Sequence, residues 1–257
     1  MKRHFLYLLA FSILPILSTG GADFLDFLKR KPATNQAPDG LSLAGLSQEQ
    51  MAGGLKEALS QGVKQAVSAL GKPDGFLNDL KVKIPMPQSL QKIEKTLRSL
   101  GQDKLADDFI TTMNRAAEQA VPEAASVLAD SVKQMSIADA KSILTGTNNA
   151  ATEYFRRTSQ TNLYARFLPI VKTATEKTGV TGAYKRMTDS SRGGLGGLLE
   201  RGSALLGREM PDLDDYVTHK TLDGLFLKIA EQEKLIRENP VARTTALLQK
   251  VFGGIKK

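Results

Sequence analysis

Residues 47–71, SQEQMAGGLKEALSQGVKQAVSALG, decide how the rest of the chain is read. Ser47 stands three residues before Gln50, the spacing at which the hydroxyl and the amide side chain cap each other's backbone N–H groups at a helix start. Met51, Leu55, Leu59, Val63, Val67 and Leu70 then recur every three or four residues as one apolar stripe. Gly71 closes the pattern, and Lys72-Pro73-Asp74-Gly75 turns the chain. A helix with one apolar face has to be covered by other elements, and the following sequence supplies more helices.

Helical patterns resume over 88–100 and again over 102–135, the latter rich in alanine around 116–129 and able to kink or restart at Pro122. Ser136-Ile137-Ala138-Asp139 opens a short helix ending at Leu144. Residues 147–177 form one or two helices, with Pro169 as a break or restart. Leu222, Leu225, Phe226, Ile229 and Ile236 mark a further stripe, and Asn239-Pro240 separates it from a last helix ending near Phe252. Residues 76–87, FLNDLKVKIPMP, differ: Val82 and Ile84 alternate with lysines, and Pro85 and Pro87 forbid a helix, so an extended segment suited to a short edge strand is expected. The fold class is all-α, a multi-helix bundle-like domain with that short extended segment.

Ahead of the helices, Lys2, Arg3 and His4 lead into the apolar FLYLLAFSILPIL of 5–17, and small residues follow. Gly20 and Ala22 occupy the minus-three and minus-one positions of a cut before Asp23, the pattern of a secretory signal. The apolar run falls short of the roughly 20 residues that cross a bilayer, so a signal peptide over 1–22 is expected rather than an anchor, with no transmembrane segment after cleavage. Residues 23–46 read as a flexible lead-in and 47–257 as the helical domain. Glycines crowd the region from Gly179 to Gly207, and 188–211 reads as a hinge or a surface loop. The expected location is the periplasm or the exterior.

The net charge of the whole chain is +8. This modest excess, spread along the sequence, suits anionic envelope partners such as phospholipid headgroups, while no dense basic run interleaved with aromatics points to nucleic acid. Cysteine is absent, which removes disulfides, thiol nucleophiles and thiolate metal sites. His219 is the one histidine after the signal, so a monomer lacks the donors of most catalytic zinc sites. No nucleophile elbow accompanies that histidine, and no phosphate-cradling glycine loop occurs. Neither a cofactor nor a metal is expected. His219 reads as a helix-surface residue paired with Asp215 one turn earlier.

What remains is polar chemistry inside helices. Asn114, Arg115 and Glu118 share adjoining faces of one helix, and Thr152 and Tyr154 pose the same choice further on. Such a cluster can hold a polar headgroup, and these five are the candidate ligand-binding residues; no catalytic residue is assigned. The plainer reading is a salt bridge between helices, with the aromatics filling the core.

Several strings carry a family resemblance: GLKEAL at 54–59, LGKPDGF at 70–76, VKIPMP at 82–87, TMNRAAEQA at 112–120, MSIADAKSIL at 135–144, AATEYF at 150–155 and FLPIV at 167–171, with the end from DLDDYVT to LLQKVF. Together they resemble the bacterial family DUF4197 from about residue 41 to the C-terminus. The resemblance implies an exported bacterial protein and brings no catalytic residues. The resulting expectation is a non-catalytic binding or interaction protein of the envelope, holding a lipid, another apolar ligand or another envelope component. A carboxylate-dependent hydrolase of an envelope glycan is the rival, since two suitably spaced Asp or Glu suffice for that chemistry. A structural or assembly role is the third reading.

Overall fold

The computed structural model describes residues 46–178 and 212–239, together with Gln249 and Val251. All of them lie in the larger of two compact units, Ser42–Lys257. Helix α1 (Gln48–Leu70) begins with the capping box expected from its sequence: Gln50 N donates to Ser47 Oγ, and Ser47 N donates to Gln50 Oε1. Helix α2 (Gln91–Ser99) follows a 3-10 turn at Gln88–Leu90. Helix α3 (Asp103–Ala120) passes through a 3-10 turn at Val121–Glu123 into α4 (Ala124–Gln134), so the chain restarts where Pro122 cannot donate. Helix α5 (Ile137–Thr145) opens on a second capping box, Ser136 with Asp139. Helix α6 (Ala150–Thr178) and helix α7 (Leu213–Glu238) complete the described elements.

The long α6 is the centre of the packing, flanked by α3, α4, α5 and α7, while α1 lies against α4, α5 and α7. Ala106, Ala116, Ala117, Ala120, Ala124 and Ala151 are all buried, and their short side chains allow the helices to approach closely around Phe109, Phe155, Phe167 and Phe226. Gly62 of α1 serves the same end, since a Cβ there would meet Gln232 Cβ of α7 at 3.4 Å.

Two expectations are corrected. Pro169 does not break its helix, which runs on to Thr178. Its ring lies on the exposed face, while Phe167 and Val171 on either side are buried and hold both turns against the core. Pro169 has no N–H for the Ala165 carbonyl, and Ala165 is itself exposed. No strand forms in 76–87 either: residues 72–82 are a succession of turns and 83–87 run extended without pairing to another strand. Pro85 and Pro87 lack the N–H groups a ladder needs, and the Ile84 peptide is claimed by a side chain. The hinge expected at 188–211 lies outside the described residues, as does most of the last helix.

Candidate functional site

The polar residues singled out on α3 meet under the segment 72–87 and hold it. Asn114, fully buried, treats Ile84 as a neighbouring strand would: Ile84 N donates to Asn114 Oδ1 at 2.8 Å, and Asn114 Nδ2 donates to Ile84 O at 2.9 Å. The same Nδ2 donates back to Ile110 O of its own helix at 2.7 Å. One turn further along, Glu118 is 4% exposed and receives Phe76 N at 3.1 Å and Leu77 N at 3.3 Å on Oε1. Its other oxygen accepts from Arg115 Nη1 at 2.7 Å. Arg115 Nη2 reaches across to Asp74 Oδ1, also at 2.7 Å. Asp74 occupies the left-handed region at φ 66°, a conformation that aspartate tolerates better than most residues.

Helix α7 grips the same segment from the other side. Phe76 is fully buried where Gly224 leaves room for it: a Cβ on Gly224 would come within 2.7 Å of the Phe76 ring and 3.3 Å of Val82 Cβ. Tyr216 donates its hydroxyl to Pro85 O at 3.0 Å. Lys228 pairs with both Asp79 and Glu231, and Lys81 reaches Glu231 at 2.7 Å. The Lys228 hydrogen bond is the main reason that the carboxyls of Asp79 and Glu231 lie below their ordinary range. Burial works against the Lys228 charge, but its bonds to the two carboxylates prevail and raise its pKa. The described part of the segment is therefore clasped between α3 and α7.

The other two candidates make their bonds elsewhere. Thr152 sits at the N-terminus of α6, where the free amides of Ala151 and Thr152 and the Thr152 hydroxyl all donate to Glu233 of α7 at 2.8–2.9 Å. Glu233 is a carboxylate supplied by another helix to an otherwise unsatisfied helix end. Arg237 pairs with it at 2.8 Å and donates to Ile143 O at the end of α5. Tyr154 is buried against Phe155 and donates its hydroxyl to Ser131 O of α4 at 3.0 Å. His219 lies on the surface with Asp215 Oδ1 3.4 Å away, as its spacing suggested, and its ring lies 5.0 Å from that of Tyr164. Tyr164 donates to the same Asp215 oxygen at 2.6 Å, which raises the tyrosine's pKa.

Sequence reasoning passed over Asp74, Gly224, Lys228, Glu233 and Arg237. Asp74 and Gly75 had been read only as a turn, and the glycine within the α7 stripe was the available sign that something approaches there closely.

The family described as "Protein of unknown function (DUF4197)" matches residues 45–253. The chain belongs to the DUF4197 family. The match spans the whole clasp, both of its helices and the Glu233 staple. No curated protein and no solved structure shows detectable similarity to the chain.

Proposed function

We propose that this DUF4197 protein is an exported component of the bacterial envelope that acts as a non-catalytic binding or interaction protein. One observation carries the reading. The buried carboxylates among the described residues, Glu118 and Glu233, accept three and five hydrogen bonds from the chain itself. Carboxylates committed in this way build the fold, since each of their oxygens already holds a donor of the chain. The described residues also contain no group of three or more His, Cys, Asp or Glu placed to hold a metal ion. Export rests on the signal-like residues 1–22, and a lipid or another envelope component is the proposed partner.

Protein purified from its own host and measured by intact-mass and native mass spectrometry tests this. A chain beginning at Asp23 that carries a copurifying lipid or protein is the expected result. A species retaining Met1 would remove the export argument. A bare chain that releases sugars from envelope glycan would replace the proposal with the hydrolase.

A further inference from the structure

The clasp fixes a segment that carries one almost fully exposed apolar side chain. Leu80 is 89% exposed, the most exposed of the large apolar residues described. It belongs to a run in which Phe76, Val82, Ile84 and Met86 are buried and every acidic side chain is engaged, Asp74 by Arg115 and Asp79 by Lys228. Backbone bonds from Asp79 N to Phe76 O, Val82 N to Asp79 O and Lys83 N to Asp79 O close tight turns on both sides of it. Leu80 is thus presented by a rigid mount. A side chain whose backbone is already ordered loses little further freedom on docking, so even a small apolar contact there contributes to binding.

The surroundings say what kind of surface it fits. Lys81 and Lys83 follow it, both exposed, and Lys72 is exposed at the start of the same run. Lys81 shares Glu231, whereas Lys72 and Lys83 have no acidic partner among the described residues. Arg115 bridges Asp74 and Glu118, and Lys228 and Lys81 answer Asp79 and Glu231, so Lys72 and Lys83 leave the outer side of the segment a small positive excess around an apolar tip. Lysine is depleted from protein–protein interfaces, where desolvating an ammonium is costly. At a bilayer surface the same residue keeps its charge among the headgroups while its stem lies along the acyl boundary.

We propose that the Leu80 tip, with Lys72, Lys81 and Lys83, docks on the anionic surface of a lipid bilayer. This rests on the envelope reading above and names its partner. The contact is peripheral: among the described residues, no helix is long and apolar enough to cross a membrane. One leucine and a few lysines give weak, reversible binding that salt diminishes.

Cosedimentation of the mature chain from Asp23 with vesicles tests it, using phosphatidylglycerol mixed with phosphatidylethanolamine against phosphatidylcholine alone. Binding is expected to the anionic vesicles, weaker in high salt, and roughly tenfold weaker for Leu80→Asp, the scale of one lost leucine contact. Lys83→Glu is expected to weaken it as well. Both variants should melt at the wild-type temperature, because neither side chain is buried. Failure of the wild type to bind anionic vesicles overturns the proposal. So does equal binding by Leu80→Asp, which would assign the attraction to basic residues elsewhere in the chain. If vesicles are ignored while native mass spectrometry still finds a bound partner, the docking surface falls and the broader reading stands.

Discussion

Asn114 shows how a single side chain can replace an element. The backbone at Ile84 has no strand beside it, yet its N–H and C=O are both satisfied, because the carboxamide offers the acceptor and donor that a peptide would. Arg115 and Glu118 repeat the arrangement with charge. Glu118 is nearly buried and Arg115 is one-third exposed, so the pair lies between the surface and interior regimes. Removing the guanidinium leaves Glu118 with two amide donors but no countercharge. Arg115→Ala is therefore expected to cost roughly 1–3 kcal/mol, more than an exposed pair and less than a fully buried one. Arg115→Lys is expected to recover only part, since an ammonium cannot bridge Glu118 and Asp74 with a planar fork. Urea unfolding of the variants measures both. A wild-type midpoint for Arg115→Ala would show that the clasp does not depend on its charge.

Among the helices, α7 is the versatile one. Along its length it seats Phe76, receives the N-terminus of α6 on Glu233 and ties off α5 through Arg237. Gly224 exposes a competition between local and tertiary terms. Glycine to alanine inside a helix ordinarily stabilises by up to about 1 kcal/mol. Here the new methyl group would collide with the Phe76 ring, which is fully buried and cannot swing away. Overpacking costs about 1–3 kcal/mol, so Gly224→Ala is expected to lower stability despite the better helix propensity. Trimming the ring should relieve the main clash, leaving Gly224→Ala less harmful in a Phe76→Leu background. Thermal melts of the single and double variants form the cycle that checks this.

For the molecule as a whole, charge is distributed less evenly than a count suggests. Residues 46–178 and 212–239 contain 21 basic and 21 acidic side chains, so the entire positive excess lies outside the described helices. It is shared among residues 1–45, 179–211 and 240–257. Within the neutral body, the Asp79–Lys228–Glu231 network ties the clasped segment to α7 and gives stability a definite dependence on pH. Both carboxyls lie below their ordinary values in the folded state, so their contribution is complete above that range and lost as pH falls through the lowered values. For Lys228, whose pKa is raised, the contribution is complete below the ordinary lysine value and lost as pH climbs through the raised one. Lys228→Met should cost about 1–2 kcal/mol at neutral pH, allowing for partial exposure. The difference from wild type should shrink below about pH 4, where the carboxylates protonate. Denaturant titrations at neutral and acid pH compare the two, and a gap that stays constant would mean the network contributes no pH-dependent stability.

The amino-acid sequence by itself determined the helices and their ends. The Ser47 and Ser136 capping boxes, the stop at Gly71 and the restart at Pro122 all appear where the local pattern put them, because capping, turning and periodic burial act over a few residues. The polar cluster on α3 was visible too, but its role was not. Whether Asn114 and Glu118 face a ligand or the chain's own backbone depends on what lies opposite, 30 and 42 residues earlier for Ile84 and Phe76. Only tertiary structure decided that, as it decided that Pro169 would sit inside a helix and that Glu233 would close the end of α6. Contacts of that range form when packing brings distant segments together. Burial then selects the partner, since a polar group taken out of water must be satisfied by whatever the fold has placed beside it.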